Sequence, residues 1–367
     1  MLDLTHPSST PWKAHCQGWI LRILRRFEDA IEATRRRLVP APVTMFRDVT
    51  APWLASALCV AARLRLADHL GGQSLSVAEL AGRADIGEPE LIRLLNVLSA
   101  HGYFRVQKGF VLDTPLSMAL RREVAGSFAE LQGRGWYRRA FFSGHVLQGW
   151  RSGQTPFEVA TGQHFFDYLE ANPEAEHLFS DAMADITRFC TPFLAAEIEL
   201  APGERLLDVG GGDGELARAL ARRFPGNSMA VLDRAITDTS LCGKTPNYDF
   251  HQGNFFEQVP SGYDHLFLKN ILHDWDDEKA VAILARCRDA VPQGARLTVI
   301  ECMLPEPDQP TLGTASTFAL DWNVWLTLSG RERTASAYGR LLASAGWTAL
   351  GVQPTATPYS LLTAVAT

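Results

Sequence analysis

The chain predicts a doubly wound α/β protein, with a parallel sheet covered on both faces, a closing antiparallel hairpin and a smaller, mainly helical unit in front. Three observations predict it. The first is Leu206-Leu207-Asp208-Val209-Gly210-Gly211-Gly212-Asp213-Gly214, an apolar run that ends in glycines and opens into Glu215-Leu216-Ala217-Arg218-Ala219-Leu220. That pattern is a strand, a tight turn and a helix. The second is the alternation of strand and helix patterns from residue 204 onward. The third is a pair of short helix patterns followed by a hairpin between Ser76 and Leu112.

Taken in order, residues 1–15 are polar and proline-bearing, and fraying is expected there. Over residues 17–38, Ile20, Leu24, Phe27 and Ile31 share one helical face, with Arg22, Arg25, Arg26, Arg35, Arg36 and Arg37 elsewhere. A basic amphipathic helix of this kind suits packing on the protein or on a second subunit more than lying on a membrane. An apolar helix follows at residues 53–66, then short helices at 76–81 and 88–100, the first opened by a Ser76/Glu79 capping box. Residues 104–112 form a hairpin about Lys108-Gly109, and the whole reads as a winged helix-turn-helix. Its would-be recognition helix, residues 89–98, is rich in leucine and poor in exposed cations, which favours an interaction or dimerisation role over DNA binding.

Residues 126–200 are helical and aromatic, including Trp136, Tyr137, Phe141, Phe142, Trp150, Phe157, Phe165, Phe166 and Tyr168. Most are core, and a few could line a pocket for a flat ligand. Pro202-Gly203 marks the boundary before the glycine-loop strand. Strands are predicted at residues 205–209, 229–233, 249–253, 265–269 and 296–301, with helices near 214–224, 276–290 and 334–345. Strands at 347–352 and 360–365, joined through Pro354 and Pro358, make the closing hairpin.

A chain of 367 residues, 46% hydrophobic and 21% charged, has room for two globular domains. A net charge of -6 argues against a nucleic-acid binder that works by neutralising phosphates. Its six cysteines lie far apart with no C-x-x-C pair, so neither a zinc site nor a disulfide framework is expected, and no metal cluster is visible. No apolar run reaches the roughly 18–20 residues of a membrane span. A cytoplasmic enzyme acting on small molecules is the expectation.

The chemistry-bearing residues gather at the ends of the predicted strands. Glycines at 210, 212 and 214 let backbone approach a ligand, and the following helix aims N–H groups at it. A dinucleotide fold wants a third glycine where this chain has Glu215, so a nucleoside cofactor without a pyrophosphate is favoured. Asp233 ends the second strand, where a carboxylate accepts bonds from ribose hydroxyls. Asn254-Phe255 offers an amide for the edge of a base and a ring for its face. His273 follows the fourth strand and is suited to take a proton from a phenol-like hydroxyl. Glu301 and Glu332 fall in the same region, where a carboxylate can fix the imidazole's tautomer and stabilise its charge, although either seen alone would pass for a surface residue. Asp274, Asp276, Asp277 and Glu278 read as first-turn acids that complement the next helix's dipole.

The segments LLDVGGGDG, GNFFE, LKNILHDWDDE, VIECMLPE and SGRERT, in that order, resemble the S-adenosylmethionine-dependent O-methyltransferases of the plant caffeate and bacterial natural-product type. The resemblance covers residues 44–367. It implies an N-terminal extension over 1–43, a winged-helix dimerisation domain over 44–125, and a helical cap with a Rossmann-like methyltransferase domain over 126–367. It further implies a homodimer, S-adenosylmethionine as cofactor, and an aromatic small molecule as acceptor. Asp208, Gly210, Gly212, Asp233, Asn254, Phe255 and Lys269 are assigned to the cofactor. His273 is assigned as base with Glu301 and Glu332 flanking it, and Phe166, Met183, Trp322 and Asn323 are assigned to the acceptor. The expected reaction is in-line displacement of the methyl group onto a hydroxyl of an aromatic secondary metabolite.

Two departures from the family pattern stand out. Asn254 replaces the usual aspartate, so its bond to adenine lacks charge assistance and a weaker hold on the cofactor is expected. Asp233 is followed by Arg-Ala-Ile, and the stretch to Asn247 is short, so an abbreviated helix is expected there. Three rival readings are weighed. The same fold and cofactor could serve hydroxylation, decarboxylation or a pericyclic step, against which intact His273, Glu301 and Glu332 argue. A ligand-sensing DNA-binding regulator is opposed by the acidic charge, and a nicotinamide oxidoreductase using Arg234 is opposed by Glu215.

Overall fold

The computed structural model describes residues 11–124, 127, 145–234, 248–306 and 314–367. Of the fraying expected at residues 1–15, the part over 1–10 lies outside the described residues, as do the aromatics Trp136, Tyr137, Phe141 and Phe142 and the abbreviated helix after Arg234, whereas residues 11–15 are helical, which corrects the expectation there. The chain divides into two compact units, one of Met1–Ala30, Ala140–Asn172 and Cys190–Thr367, the other of Ile31–Arg139 and Pro173–Phe189.

In the second unit the helix Ala41–Arg63 begins well before the residue 53 expected from sequence, with Pro40 just outside it and Pro52 within. Arg65, at φ 53°, breaks the chain before the short helix Leu66–Leu70. β1 (Leu75–Ser76) leads into the helix Val77–Ala84, whose capping box joins Ser76 and Glu79 in both directions. The helix Glu88–Ala100 and strands β2 (Phe104–Gln107) and β3 (Phe110–Asp113) complete the winged helix, with β3 between β1 and β2. Lys108 and Gly109 both have positive φ, 50° and 80°, as a two-residue hairpin turn of the primed type requires. Leu66, Leu80, Leu91, Leu95, Leu98 and Phe104 fill the core.

The first unit is built on β4 (Arg205–Val209), β5 (Ser228–Asp233), β6 (Tyr248–Gln252), β7 (His265–Lys269), β8 (Arg296–Glu301), β9 (Trp347–Pro354) and β10 (Ser360–Ala366). Their order is β6-β5-β4-β7-β8-β10-β9. β4 to β8 run parallel, and β10 lies antiparallel to both β8 and β9. Neighbouring residues feed opposite apolar layers: Leu207, Ala230 and Leu266 join one with Leu284 and Trp347, whereas Leu206, Met229 and Phe267 join the other with Leu216 and Leu220. Both faces are therefore covered, as a parallel sheet requires. The helix Glu215–Arg223 packs on β4 and β5, while Ala335–Ser344 packs on Asp277–Asp289 and β9.

The N-terminal helix runs Pro11–Leu38, longer than the 17–38 of the sequence pattern because the proline occupies a first-turn position where its missing N–H costs nothing. Within the first unit, Arg22 on this helix pairs with Glu197 at 3.1 Å and donates to the Pro354 carbonyl at 3.4 Å. These two contacts tie the Arg22 side of the helix to the first unit, while Leu24, Phe27 and Ile31 on its apolar face are exposed.

Candidate active site

The carboxyl ends of the parallel strands form one chemical edge. β4 and β7 lie side by side there, and the order of connections reverses between them, which is where doubly wound sheets bind ligands. After β4 the chain turns through Gly210, Gly212 and Gly214, all at positive φ. Gly212 sits at φ +57° with nothing within 4 Å of where a Cβ would be, so the turn presents bare backbone to open space. The Gly212 N–H donates to Asp233 Oδ2 at 2.8 Å, and Arg234 N–H donates to Asp233 Oδ1 at 2.7 Å. The carboxylate at the end of β5 therefore holds the glycine turn in shape.

Burial pushes the Asp208 carboxyl up to about 7, with the nearby Lys269 charge opposing it. Among the described residues, Asp208 Oδ1 and Asn270 Oδ1 are buried acceptors without a hydrogen-bond partner, at the ends of β4 and β7. Together with the open backbone at Gly212, they fit a ligand that brings its own N–H donors to a nucleoside cradle. Burial lowers the Lys269 ammonium's pKa, and that group lies 5.1 Å over the Tyr359 ring. Asn254 follows β6 as expected, but its Oδ1 accepts from Phe256 N–H at 3.0 Å and its amide donates to Glu257 at 3.2 Å. Its own loop therefore uses part of the capacity assigned to a base. Phe255 lies beside Gly210 and 5.0 Å from the Phe256 ring.

His273 sits on a single 3-10 turn, Leu272–Asp274, just beyond β7. Glu301, at the end of β8 and wholly buried, accepts on Oε1 from the N–H groups of Ile271, Leu272 and His273 at 3.1, 2.9 and 3.4 Å. Its Oε2 lies 3.3 Å from His273 Nδ1, and Glu332 Oε1 lies closer, at 2.7 Å from the same nitrogen. Asp274 Oδ1 is 3.2 Å from Nε2. Carboxylates against both ring nitrogens suit an imidazolium, in which both are donors. Burial disfavours that charge, but Glu301, Glu332 and Asp274 outweigh it and hold the imidazole well above its ordinary 6.5. Burial likewise pushes Glu301 up to about 7, against the pull of the imidazole. His273, Glu301 and Glu332 bring their donor atoms within 4.8 Å of one another, so their protons belong to the group rather than to one residue.

The reading of Asp274 as a helix-dipole acid is corrected. It belongs to the turn before the helix and faces the imidazole. The helix Asp277–Asp289 is capped instead by Asp276, which accepts from Lys279 N–H at 2.8 Å, and Asp277 is paired with Arg331 and Arg333.

The residues assigned to the acceptor lie on three helices, Phe165–Ala171, Pro173–Glu197 and Thr314–Thr327. Phe166 stacks at 5.3 Å on Trp275, with the Arg234 guanidinium 5.7 Å from its ring. Trp322, on the helix Thr314–Thr327, joins Trp150 and Trp325 at centroid distances of 5.8 and 4.8 Å. Asn323 is half-buried beside it, and the preceding Asp321 accepts from Glu332 N–H at 2.9 Å. Met183 lies on Pro173–Glu197, in the other compact unit. Trp275 against Phe166, Asp321 against the Glu332 N–H and Tyr359 against Asn270 and Lys269 are contacts between distant segments with no local signal in the sequence. Arg333 was visible within GRERT but carried no local signal of what it binds.

Residues 144–348 match the O-methyltransferase domain family. The chain belongs to that family. This O-methyltransferase is 30% identical over 343 residues to the phenazine O-methyltransferase of Lysobacter antibioticus, a match spanning 91% of this chain and 98% of the relative. A solved mitomycin 7-O-methyltransferase superposes with a TM-score of 0.80 at 28% identity, covering 92% of this chain and 100% of the other. An O-methyltransferase from neocarzinostatin biosynthesis, solved with S-adenosylmethionine and 2-hydroxy-5-methyl naphthoic acid, gives 0.71 at 28% identity over 85% of this chain and 96% of that one. The cofactor of the enzyme is S-adenosylmethionine. No helix among the described residues is long and apolar enough to cross a membrane.

Proposed function

We propose that the protein methylates a hydroxyl group of an aromatic secondary metabolite, with His273 as general base and Glu301 and Glu332 as the carboxylates that orient and stabilise it. The observation that carries this reading is the buried 2.7 Å contact from His273 Nδ1 to Glu332, at the strand end next to the glycine turn. Asp208, Gly210, Gly212, Asp233, Asn254, Phe255 and Lys269 would hold the cofactor, and Phe166, Trp322 and Asn323 would face the acceptor. When bound, S-adenosylmethionine supplies a methyl group already activated on a sulfonium. What remains for the protein is to align the acceptor oxygen and take its proton. Nδ1, bonded to Glu332, keeps its hydrogen, and Nε2 becomes the base once the cluster gives up a proton. The aromatic character of the acceptor is supported by the relatives, which act on a phenazine and bind a naphthoic acid.

The test is incubation with methyl-labelled S-adenosylmethionine and a panel of hydroxylated phenazines, naphthoic acids and quinones, followed by product masses. One labelled methyl per hydroxyl is expected. A hydroxylated or decarboxylated product with no label would replace this reading with a non-methylating use of the same fold.

The ionisation of the cluster gives a second check. Because the imidazole is held charged above 6.5, its base form grows as pH rises, so kcat/KM should ascend on the alkaline side of that value. Glu332→Gln removes a negative charge from Nδ1, which lowers the ring's pKa. Its ascending limb should therefore move toward acid while the plateau rate falls. A limb that stays put or moves to higher pH would contradict the assigned role.

The cytoplasm is the proposed compartment, and a homodimer the proposed assembly. In the second unit Met45, Phe46 and Trp53 are 64%, 68% and 67% exposed, large apolar side chains that a second copy would cover. Light scattering should give twice the 40.5 kDa of one chain. A monomer at micromolar concentration would overturn the assembly.

A further inference from the structure

Arg333 follows Glu332 directly and is 3% exposed. Its guanidinium donates to the Leu272 carbonyl at 2.8 Å and to the Trp275 carbonyl at 2.7 Å, the two carbonyls that bracket His273 and Asp274. It also donates to Asp277 Oδ1 at 2.8 Å and to the Arg331 carbonyl at 3.3 Å. One face is closed by Tyr338, whose ring centroid is 5.8 Å from the guanidinium carbon. The same segment touches the turn again through Gly330, where a Cβ would collide with the backbone from the His273 carbonyl to Trp275 N. Only a glycine allows that approach. The turn is thus gripped on two sides. Glu301 takes three of its N–H groups, and Arg333 takes two of its carbonyls. Each gripping segment also presents a carboxylate to the imidazole.

We infer that Arg333, with Asp277 as its counter-ion, is a positioning residue for the proton-transfer step: it sets the turn so that Nδ1 of His273 meets Glu332. A planar fork with five donors can span two carbonyls and a carboxylate, which a lysine ammonium cannot do in one plane. Because Glu332 and Arg333 are consecutive, the guanidinium fixes the turn relative to the carboxylate that serves the ring. The inference rests on the reading of His273 as base. It concerns a guanidinium engaged by Asp277, three backbone carbonyls and Tyr338, so its loss should appear in kcat and in the pH profile rather than in cofactor affinity.

The experiment compares wild-type enzyme with Arg333→Ala, Arg333→Lys, Asp277→Asn and His273→Ala. The measurements are kcat, the pH profile, S-adenosylmethionine affinity by calorimetry and melting. For Arg333→Ala, kcat should fall about 10²-fold, the scale of an ångström of misplacement. Its ascending pH limb should shift toward acid, because the ring is no longer aligned with Glu332, and cofactor affinity should hold. Millimolar guanidinium should restore both kcat and the limb, since the vacated slot keeps its carbonyls, Asp277 and Tyr338, whereas ethylammonium should not. Arg333→Lys should recover part of the rate. If Arg333→Ala does not fold, Asp277→Asn decides, with a smaller loss of kcat and the same acid shift expected. Wild-type kcat with an unmoved limb in whichever of the two folds would overturn the inference. So would a loss that guanidinium cannot restore and that follows cofactor affinity or melting. His273→Ala separates the two ideas: an inactive His273→Ala beside an unaltered Arg333→Ala refutes the clamp alone, whereas a fully active His273→Ala refutes the base and the clamp's purpose together.

Discussion

His273→Ala should lower turnover by about 10²–10⁴-fold, the usual worth of general-base catalysis, and leave S-adenosylmethionine binding nearly unchanged. The imidazole is buried among Glu301, Glu332 and Asp274, and it lies on the turn after β7 rather than in the glycine loop after β4. A ring that merely packs would be missed in stability and not in rate, so melting must be followed beside kcat. Two buried carboxylates that have lost their cation will repel each other in the variant, which favours protonation of Glu301, already drawn up to about 7 by burial. Glu301→Gln should cost less in rate, because an amide oxygen can still accept from the turn's N–H groups. Wild-type turnover by His273→Ala across neutral pH would mean that alignment alone drives the reaction.

Gly212→Val should abolish cofactor binding to the limit of calorimetry. The residue sits at φ +57°, where a branched side chain is strained by about 1–3 kcal/mol, and the space a Cβ would enter is open and is where the cofactor is proposed to lie. Its N–H also carries the 2.8 Å bond to Asp233 that holds the turn. Gly212→Ala should weaken binding by less, since a methyl group intrudes less. Tight binding of S-adenosylmethionine by the valine variant would show that the cofactor lies elsewhere along the strand ends.

The strands at 205–209, 265–269 and 296–301 were legible to the residue, because strands with buried middles read as short, mostly apolar runs with polar residues at their ends. Lys108-Gly109 was legible for a different reason, since its chemistry permits the backbone conformation found there. The glycine turn, Asp233 and the meeting of His273 with Glu301 and Glu332 followed from strand ends sharing one edge. What was not legible depends on where a polar group finds its partner. Asp274 looked like one more acid before a helix, and only the 3-10 geometry turns it onto Nε2. Arg333 is satisfied by carbonyls some 60 positions earlier, and no spacing rule reaches that far. The helices at Pro11 and Ala41 start earlier than read, because a proline that looks like a break from outside is at home in a first turn.

The place of β10 in the sheet bears on how the molecule is made. β8 is paired on one side by β7 and on the other by β10, with Ile300 opposite Leu361, so residues synthesised some 60 positions apart must meet before that edge is covered. Until Ser360–Ala366 emerges, a nascent chain carries a free strand edge beside Leu297, Val299 and Ile300, which is a template for pairing with other chains. β8 also ends in Glu301, so the strand whose edge closes late is the one that fixes the turn carrying His273. Truncated or stalled chains should therefore be sticky as well as inactive, and slow translation through the segment after β8 lengthens the time during which a chaperone is needed.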